Sequence, residues 1–399
     1  MKSMYKLRGV VQPYSWGGTD FIPQLLNITN HDKKPFAEYW LGAHPSAPAI
    51  LDETNTSLHQ FIASHPKETL GEIVAVKFGL LPYLFKILDV KQMLSIQVHP
   101  SKAVAEEEFE KENKKGIALN ASNRNYKDKN HKPELMVAWS DFWLLHGFKP
   151  EVELKETLNG VQELLFLLPL FEQRGYKDLY EEVMTMPQEK VDEVLRPLLQ
   201  KIVPLYEAGK LQKTSEDFWA ARAAVTFCKN GSYDRGIFSI YFFNLLHLKE
   251  GEAIYQAAGL PHAYLEGQNV EVMANSDNVL RAGLTDKHVD VPELMKHVKF
   301  EATHPKIFRA SKEAEQAFDA PVEEFFLKRY KTGNAVSLSP QNGTVLFVYE
   351  GKGEAQADDE TIKLNRGEAL FLLPNKKVLI KPGNGTIRFY TVAAALDKK

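Results

Sequence analysis

One cysteine, Cys228, stands in 399 residues. That excludes an internal disulfide framework and any thiolate-built zinc site, so a metal in this chain would rest on nitrogen and oxygen ligands. Long apolar runs are also missing. Residues 161–171 and 238–248 are the most apolar stretches, each about half the length needed to span a bilayer, and Glu163 and Asn244 interrupt them. No transmembrane segment is expected. Residues 1–18 carry scattered charge and no apolar core, which excludes a secretory signal. A formal net charge of −3 offers no field to attract nucleic acid. These absences predict a cytoplasmic chain in a reducing compartment, with neither nucleic acid nor membrane as partner.

What is present is ordinary in amount and unusual in placement. Hydrophobic residues make up 44% and charged ones 25%, enough for a large core. At about 150 residues per domain, two or three structural units are expected. Residues 94–100, Leu-Ser-Ile-Gln-Val-His-Pro, read as a strand. Alternation puts Ser95, Gln97 and His99 on one face and Leu94, Ile96 and Val98 on the other. Gln97 and His99 are uncharged donors spaced to share one metal ion.

Further candidates follow along the chain. Lys86, among Phe85, Ile87 and Leu88, either enters a pocket or snorkels to the surface. Glu38, in an aromatic segment with Trp40, is either a salt-bridge partner or an orienting carboxylate, and Trp16 reads as pocket wall. Ser101 caps a helix that ends near Gly116. Glu134 leads into the apolar residues 135–138, where a carboxylate is costly unless paired or bound to metal. Residues 150–227 turn leucine-rich with helical spacing, broken by Pro169, Pro187, Pro197 and Pro204 and closed by Asn230-Gly231. Strand is expected again over 237–248. Residues 253–264 place His262 after a Gly-Leu-Pro turn, similar to the cupin arrangement of a histidine at a barrel mouth. Arg281 would be awkward on a buried face without an anion. Asp290 with Glu293 has the form of a helix start. From Phe325 the chain is β again, and residues 367–374 echo residues 251–261 without the histidine, which suggests two related barrels of which only the first holds metal.

Seven strings carry a wider resemblance: residues 14–17, 37–45, 84–86, 94–100, 131–134, 259–264 and 275–285. They extend across almost the whole chain and resemble, in order, the type I mannose-6-phosphate isomerases, a zinc cupin family. The fold so implied is mainly β with a helical insert: cupin-type jelly-roll β-barrels, one catalytic and one C-terminal, and an all-α domain. Residues 1–149 and 233–305 would form the catalytic barrel, 150–232 the insert, and 306–399 a C-terminal barrel without metal. The resemblance implies one Zn(2+) per chain on Gln97, His99, Glu134 and His262. It puts Arg281 in an active-site position, with Lys132 and Ser95 lining the pocket; read with the strand pattern, the catalytic candidates are Arg281, Lys132 and Glu271, and Ser95, Lys86, Trp16, Tyr264 and Asp277 are expected around the substrate. The expected reaction is the interconversion of mannose 6-phosphate and fructose 6-phosphate through a cis-enediolate, with a sugar phosphate as the only partner of a monomer. Tyr39-Trp40-Leu41 departs from the family run as a packing substitution. For the general base, Glu271, His131, Asp277 and a metal-bound water all stay open. Two other classes compete: a different cupin enzyme such as an iron oxygenase, which Gln97 argues against, and a non-catalytic sugar-phosphate sensor.

Overall fold

In the computed structural model, residues 1–228 and 231–396 are described. Asn230, expected to help close the helical segment, lies outside them. An eleven-stranded antiparallel sheet carries the candidate residues, and its hub is the strand His262–Ala274. Gly267 divides this strand at φ +132°, where a Cβ would meet Phe142 Cδ2 at 2.6 Å and the Asp141 carbonyl at 2.8 Å. Only glycine tolerates that approach. Before the bend, the hub pairs with Phe142–Phe148 and Gln97–Val98; from it onward, with Tyr83–Val90 and Glu134–Ala138. The bend thus joins two groups of strands in one site.

Alternation then sorts the side chains. Val270, Val272, Phe85, Ile87, Leu135 and Val137 face a core shared with Phe347, Phe371 and Tyr390. Val98, Ala263, Leu265 and Leu280 face a second core built with the helices. Their neighbours Gln97, His262, Glu271, Lys86 and Glu134 point the other way, toward one concavity. Burying several ionisable groups there costs several kcal/mol per ion, offset by large apolar side chains at ~1.5–3 kcal/mol each in the flanking cores.

The helices Glu151–Gly160, Leu168–Thr185, Gln188–Glu207 and Glu216–Phe227 occupy the expected stretch. Pro169 and Pro187 sit at helix starts, as a residue without an N–H should. Pro197 and Pro204 do not break the chain as expected; both lie inside Gln188–Glu207, where buried Leu195, Leu198, Leu199 and Ile202 hold the helix on its neighbours. The expected strand over 237–248 is half helix: Gly236–Phe242 is helical and wholly buried, and Phe243–Leu248 is the strand. A continuous apolar run buried on all sides has no period to tell helix from strand. The central strand is shorter than expected, only Gln97–Val98. Ser101 caps Lys102–Lys114 without a side-chain bond, whereas the Asp290 carboxylate accepts the Glu293 N–H at 3.0 Å.

The C-terminal strands form an eight-stranded sheet, which Met4–Arg8, Ile50–Leu51 and Thr56–Ser57 complete, and a four-stranded sheet. The repeat noted in the sequence is visible locally. Gly251 at φ +84° precedes the strand Ala253–Gln256, and Gly367 at φ +85° precedes Ala369–Leu372. Tyr83 bolts the two regions together: its hydroxyl lies 2.9 Å from the Gly343 carbonyl and 2.8 Å from that of Val392, and accepts the Val345 N–H at 3.2 Å. Among the described residues no sheet closes on itself, and the fold is mixed, antiparallel sheets with 11 α-helices, so only the coarser part of the expectation, antiparallel β with a helical segment, is met. None of those helices is long and apolar enough to cross a membrane.

Candidate metal centre and cleft

His99, Glu134 and His262 come together with ligand atoms within 4.8 Å of one another, all three buried. His99 Nε2 lies 3.4 Å from Glu134 Oε1, and His262 Nε2 lies 3.2 Å from Glu134 Oε2. Two ligand atoms each about 2.0 Å from one tetrahedral ion would be roughly 3.3 Å apart. The tautomers are fixed from behind. His99 Nδ1 is 2.8 Å from the Asn278 carbonyl and His262 Nδ1 is 3.0 Å from that of Leu260. A carbonyl only accepts, so both Nδ1 atoms carry hydrogen and both Nε2 lone pairs face inward. His99 Nε2 is buried with no hydrogen-bond partner among the described residues, which suits a position waiting for a cation. Burial and the nearby Lys132 ammonium push His99 down to about 4, so it stays neutral and able to ligate.

Gln97 joins this set through pairing. It sits directly opposite both His262 and Arg281 on its two neighbouring strands, so the three side chains share one side of the sheet. A small inner cavity of about 50 Å³ is bordered by Gln97, Glu134, His262, Lys132, Tyr264 and Glu271, among others. Glu134 is held on both sides, with Lys132 Nζ 2.8 Å from Oε1. Burial opposes its charge, yet Lys132 and the two imidazoles hold its carboxyl well below the ordinary range.

A second group stands beside the first. Lys86 does not snorkel: it is buried, 3.3 Å from Glu38, 3.9 Å from Glu271 and 4.8 Å above the Trp40 ring. Burial works against its charge, but Glu38 and Glu271 raise its pKa above the ordinary value. Glu38, undecided from sequence, also accepts the Trp40 indole N–H. Glu271 accepts the Tyr264 hydroxyl at 2.9 Å. Burial, then Glu134, pushes Glu271 up to about 7, the value suited to a group that takes and returns a proton near neutrality.

The inner cavity borders an outer cleft of about 580 Å³, along which Trp16, Ser95, Asp277 and Arg281 lie. Leu94, expected to face the core, lines both spaces because the chain is not yet strand there. Arg281 has no acidic partner within ion-pairing distance among the described residues, and burial lowers its pKa. Lys287 joins it on the cleft wall, lowered by burial and by Arg281. Nothing in the sequence singled out Lys287, which sits in a polar turn. Asp277 faces His44 at 3.3 Å with its side chain half exposed. His131 lines neither space; its Nε2 lies 2.7 Å from Glu324 Oε1. A separate groove of about 530 Å³ on the C-terminal sheets has no histidine, and its lysine, Lys328, is already paired with Glu315 at 2.6 Å.

Residues 4–151 match the model of the phosphomannose isomerase type I catalytic domain. Similarity continues past it. A curated mannose-6-phosphate isomerase of Shigella flexneri is 35% identical over 395 residues, 96% of this chain and 98% of the relative. That of Homo sapiens is 32% identical, over 95% of each chain. A crystal structure of mannose 6-phosphate isomerase from Salmonella typhimurium, bound to fructose 6-phosphate and zinc, aligns over 99% of this chain and 100% of that one, with a TM-score of 0.87 at 33% identity. With that extent of likeness laid over a metal-ready cluster and a cation-lined cleft, the chain belongs to the type I phosphomannose isomerases.

Proposed function

We propose that this chain interconverts D-mannose 6-phosphate and D-fructose 6-phosphate, using one zinc ion held by Gln97, His99, Glu134 and His262. The observation that carries the reading is the His99–Glu134–His262 cluster with an unpartnered His99 Nε2, whose Glu134 and His262 line the same buried space as Glu271. When bound, the ion supplies positive charge against the oxygens on which negative charge develops. Four ligands of which only one is charged leave the site with net positive charge.

The protein's own groups perform the proton transfer. Glu271, as carboxylate, takes the proton from C2 of the open-chain aldose. The C–H electron pair becomes the C1–C2 double bond as the carbonyl oxygen takes charge. Returning that proton to C1, with the hydroxyl proton passing from O2 to O1, gives the ketose. Tyr264 holds one Glu271 oxygen at 2.9 Å and so fixes the direction in which the other can act. His131 is tied to Glu324 and Asp277 faces His44, which favours Glu271 as the base over either. Lys132 and Lys86 bring fixed positive charge to the developing enediolate.

Arg281, opposite Gln97, is within reach of the reacting carbons. Ser95 and Lys287, which line the outer cleft but not the inner cavity, take the phosphate. We further assign the architecture to two cupin-type jelly rolls, a catalytic one over residues 1–149 and 233–305 and a C-terminal one over 306–399, flanking a helical insert at 150–232. The site is complete within one chain, which supports a monomer, and the free sugar-phosphate substrate supports a cytoplasmic setting. Turnover of mannose 6-phosphate in a coupled fructose 6-phosphate assay, paired with metal analysis, tests the reading. Zinc bound without turnover would leave a sugar-phosphate sensor.

A further inference from the structure

Residues 115–133 contain no helix or strand, yet they deliver Lys132 and Glu134 to the metal cluster. Such a segment has little regular hydrogen bonding of its own, so its exit must be fixed by neighbours. One side is fixed by Asn278. Its amide donates to the carbonyls of Asp128 and Asn130, both at 2.8 Å, and its side-chain oxygen accepts the Lys127 N–H at 2.7 Å. The other side is fixed from the C-terminal region, at the bend that leads into the strand Phe326–Thr332. Glu324, 5% exposed, presents Oε1 to His131 Nε2 at 2.7 Å. Its own backbone is anchored by Phe325, fully buried, and by the bond from the Ala395 N–H to the Glu323 carbonyl at 2.9 Å. The carboxylate is therefore held on a rigid part of the fold, and it meets the loop one residue before Lys132.

We propose that Glu324 is a positioning residue for the metal centre. Acting through His131, it sets where Lys132 and Glu134 stand, and this gives the C-terminal region, which carries no metal cluster of its own among the described residues, a part in holding the ion. The inference rests on the zinc reading above. His131 thereby has an orienting rather than a proton-transferring task.

The test uses zinc-loaded full-length protein and follows zinc transfer to a chromogenic chelator, with kcat and KM measured alongside. Glu324→Ala releases zinc about tenfold faster and lowers kcat more than it raises KM. Glu324→Gln, which keeps an oxygen for the His131 N–H, restores most of both. His131→Ala gives the same acceleration, and the double variant is no faster than either single one. His131→Ala also carries the test if Glu324→Ala does not fold. Wild-type release rates and kcat in the alanine variants, or additive effects in the double variant, would overturn the proposal. A wild-type protein that binds no zinc overturns the metal reading instead, so the two failures are distinct.

Discussion

Lys132 Nζ lies 2.8 Å from Oε1 of Glu134, the same oxygen that His99 Nε2 approaches to 3.4 Å. A lysine and a histidine thus converge on one carboxylate oxygen, and the His99 nitrogen has nothing else to bond among the described residues. Zinc binding therefore completes a set of donors that the fold has already paid to bury. Chelation is expected to abolish turnover, and His262→Ala or Gln97→Ala to lower zinc content measured by metal analysis. Full activity in rigorously metal-free protein would falsify the metal's role.

The same burial predicts how the metal-free protein responds to acid. His99 is neutral in the fold with a pKa near 4, against an ordinary value near 6.5, so between those values the unfolded chain binds the extra proton. Stability therefore falls as pH drops from about 6.5 to 4. Glu134, held below its ordinary range, adds loss in the same direction once pH falls below about 4.5. Denaturant melts of apo protein at stepped pH check this; His99→Gln should flatten the upper part of the curve.

Glu271 gives the kinetic counterpart. Its carboxyl is pushed up to about 7, first by burial and then by Glu134, and in the proposed role of base it must be ionised. Turnover is expected to decline on the acid side with a pKa at or below 7, since a bound zinc ion pulls the value down. Glu271→Gln should lower kcat by roughly 10²–10⁴ with little change in KM. An unaltered acid limb in Tyr264→Phe would show that the phenol orients the carboxylate without tuning it.

Much of this cluster was legible because its members are polar residues in apolar surroundings. Glu134 before Leu135 and Met136, and Arg281 after Leu280, stand out by the cost of burying them. Pairing and direction were not legible. Lys86 read somewhat better as a surface lysine until Glu38 and Glu271, from other strands, were seen around it. Lys287 gave no signal because an exposed lysine in a polar turn is ordinary wherever no cleft adjoins it. The helix Gly236–Phe242 was missed because a segment buried on every side loses the periodicity that separates helix from strand.

Arg281 can be placed by isotope exchange. It stands across from Gln97, whereas Lys287 lines the same outer cleft but not the inner cavity. Solvent hydrogen incorporated at C1 of the product should fall in Arg281→Ala more than binding weakens, while Lys287→Ala should mainly raise KM. Unchanged exchange with weakened binding in Arg281→Ala would reassign the guanidinium to the phosphate.

Tyr83 predicts a stability effect with a functional consequence. It begins the strand that carries Lys86, and its fully buried hydroxyl contacts Gly343, Val345 and Val392 of the C-terminal sheet. Tyr83→Phe keeps the ring and removes the hydroxyl that bonds the Val345 N–H and the carbonyls of Gly343 and Val392. The cost of leaving buried backbone groups unpaired is about 1–3 kcal/mol, a few degrees in Tm for a chain of this size. Because the strand runs straight from this bond to Lys86, loosening it should also weaken the Lys86–Glu38 contact. A Tm loss accompanied by a fall in kcat at a temperature where the variant is fully folded is the expected result. A Tm loss with unchanged kcat would confine Tyr83 to holding the sheets together.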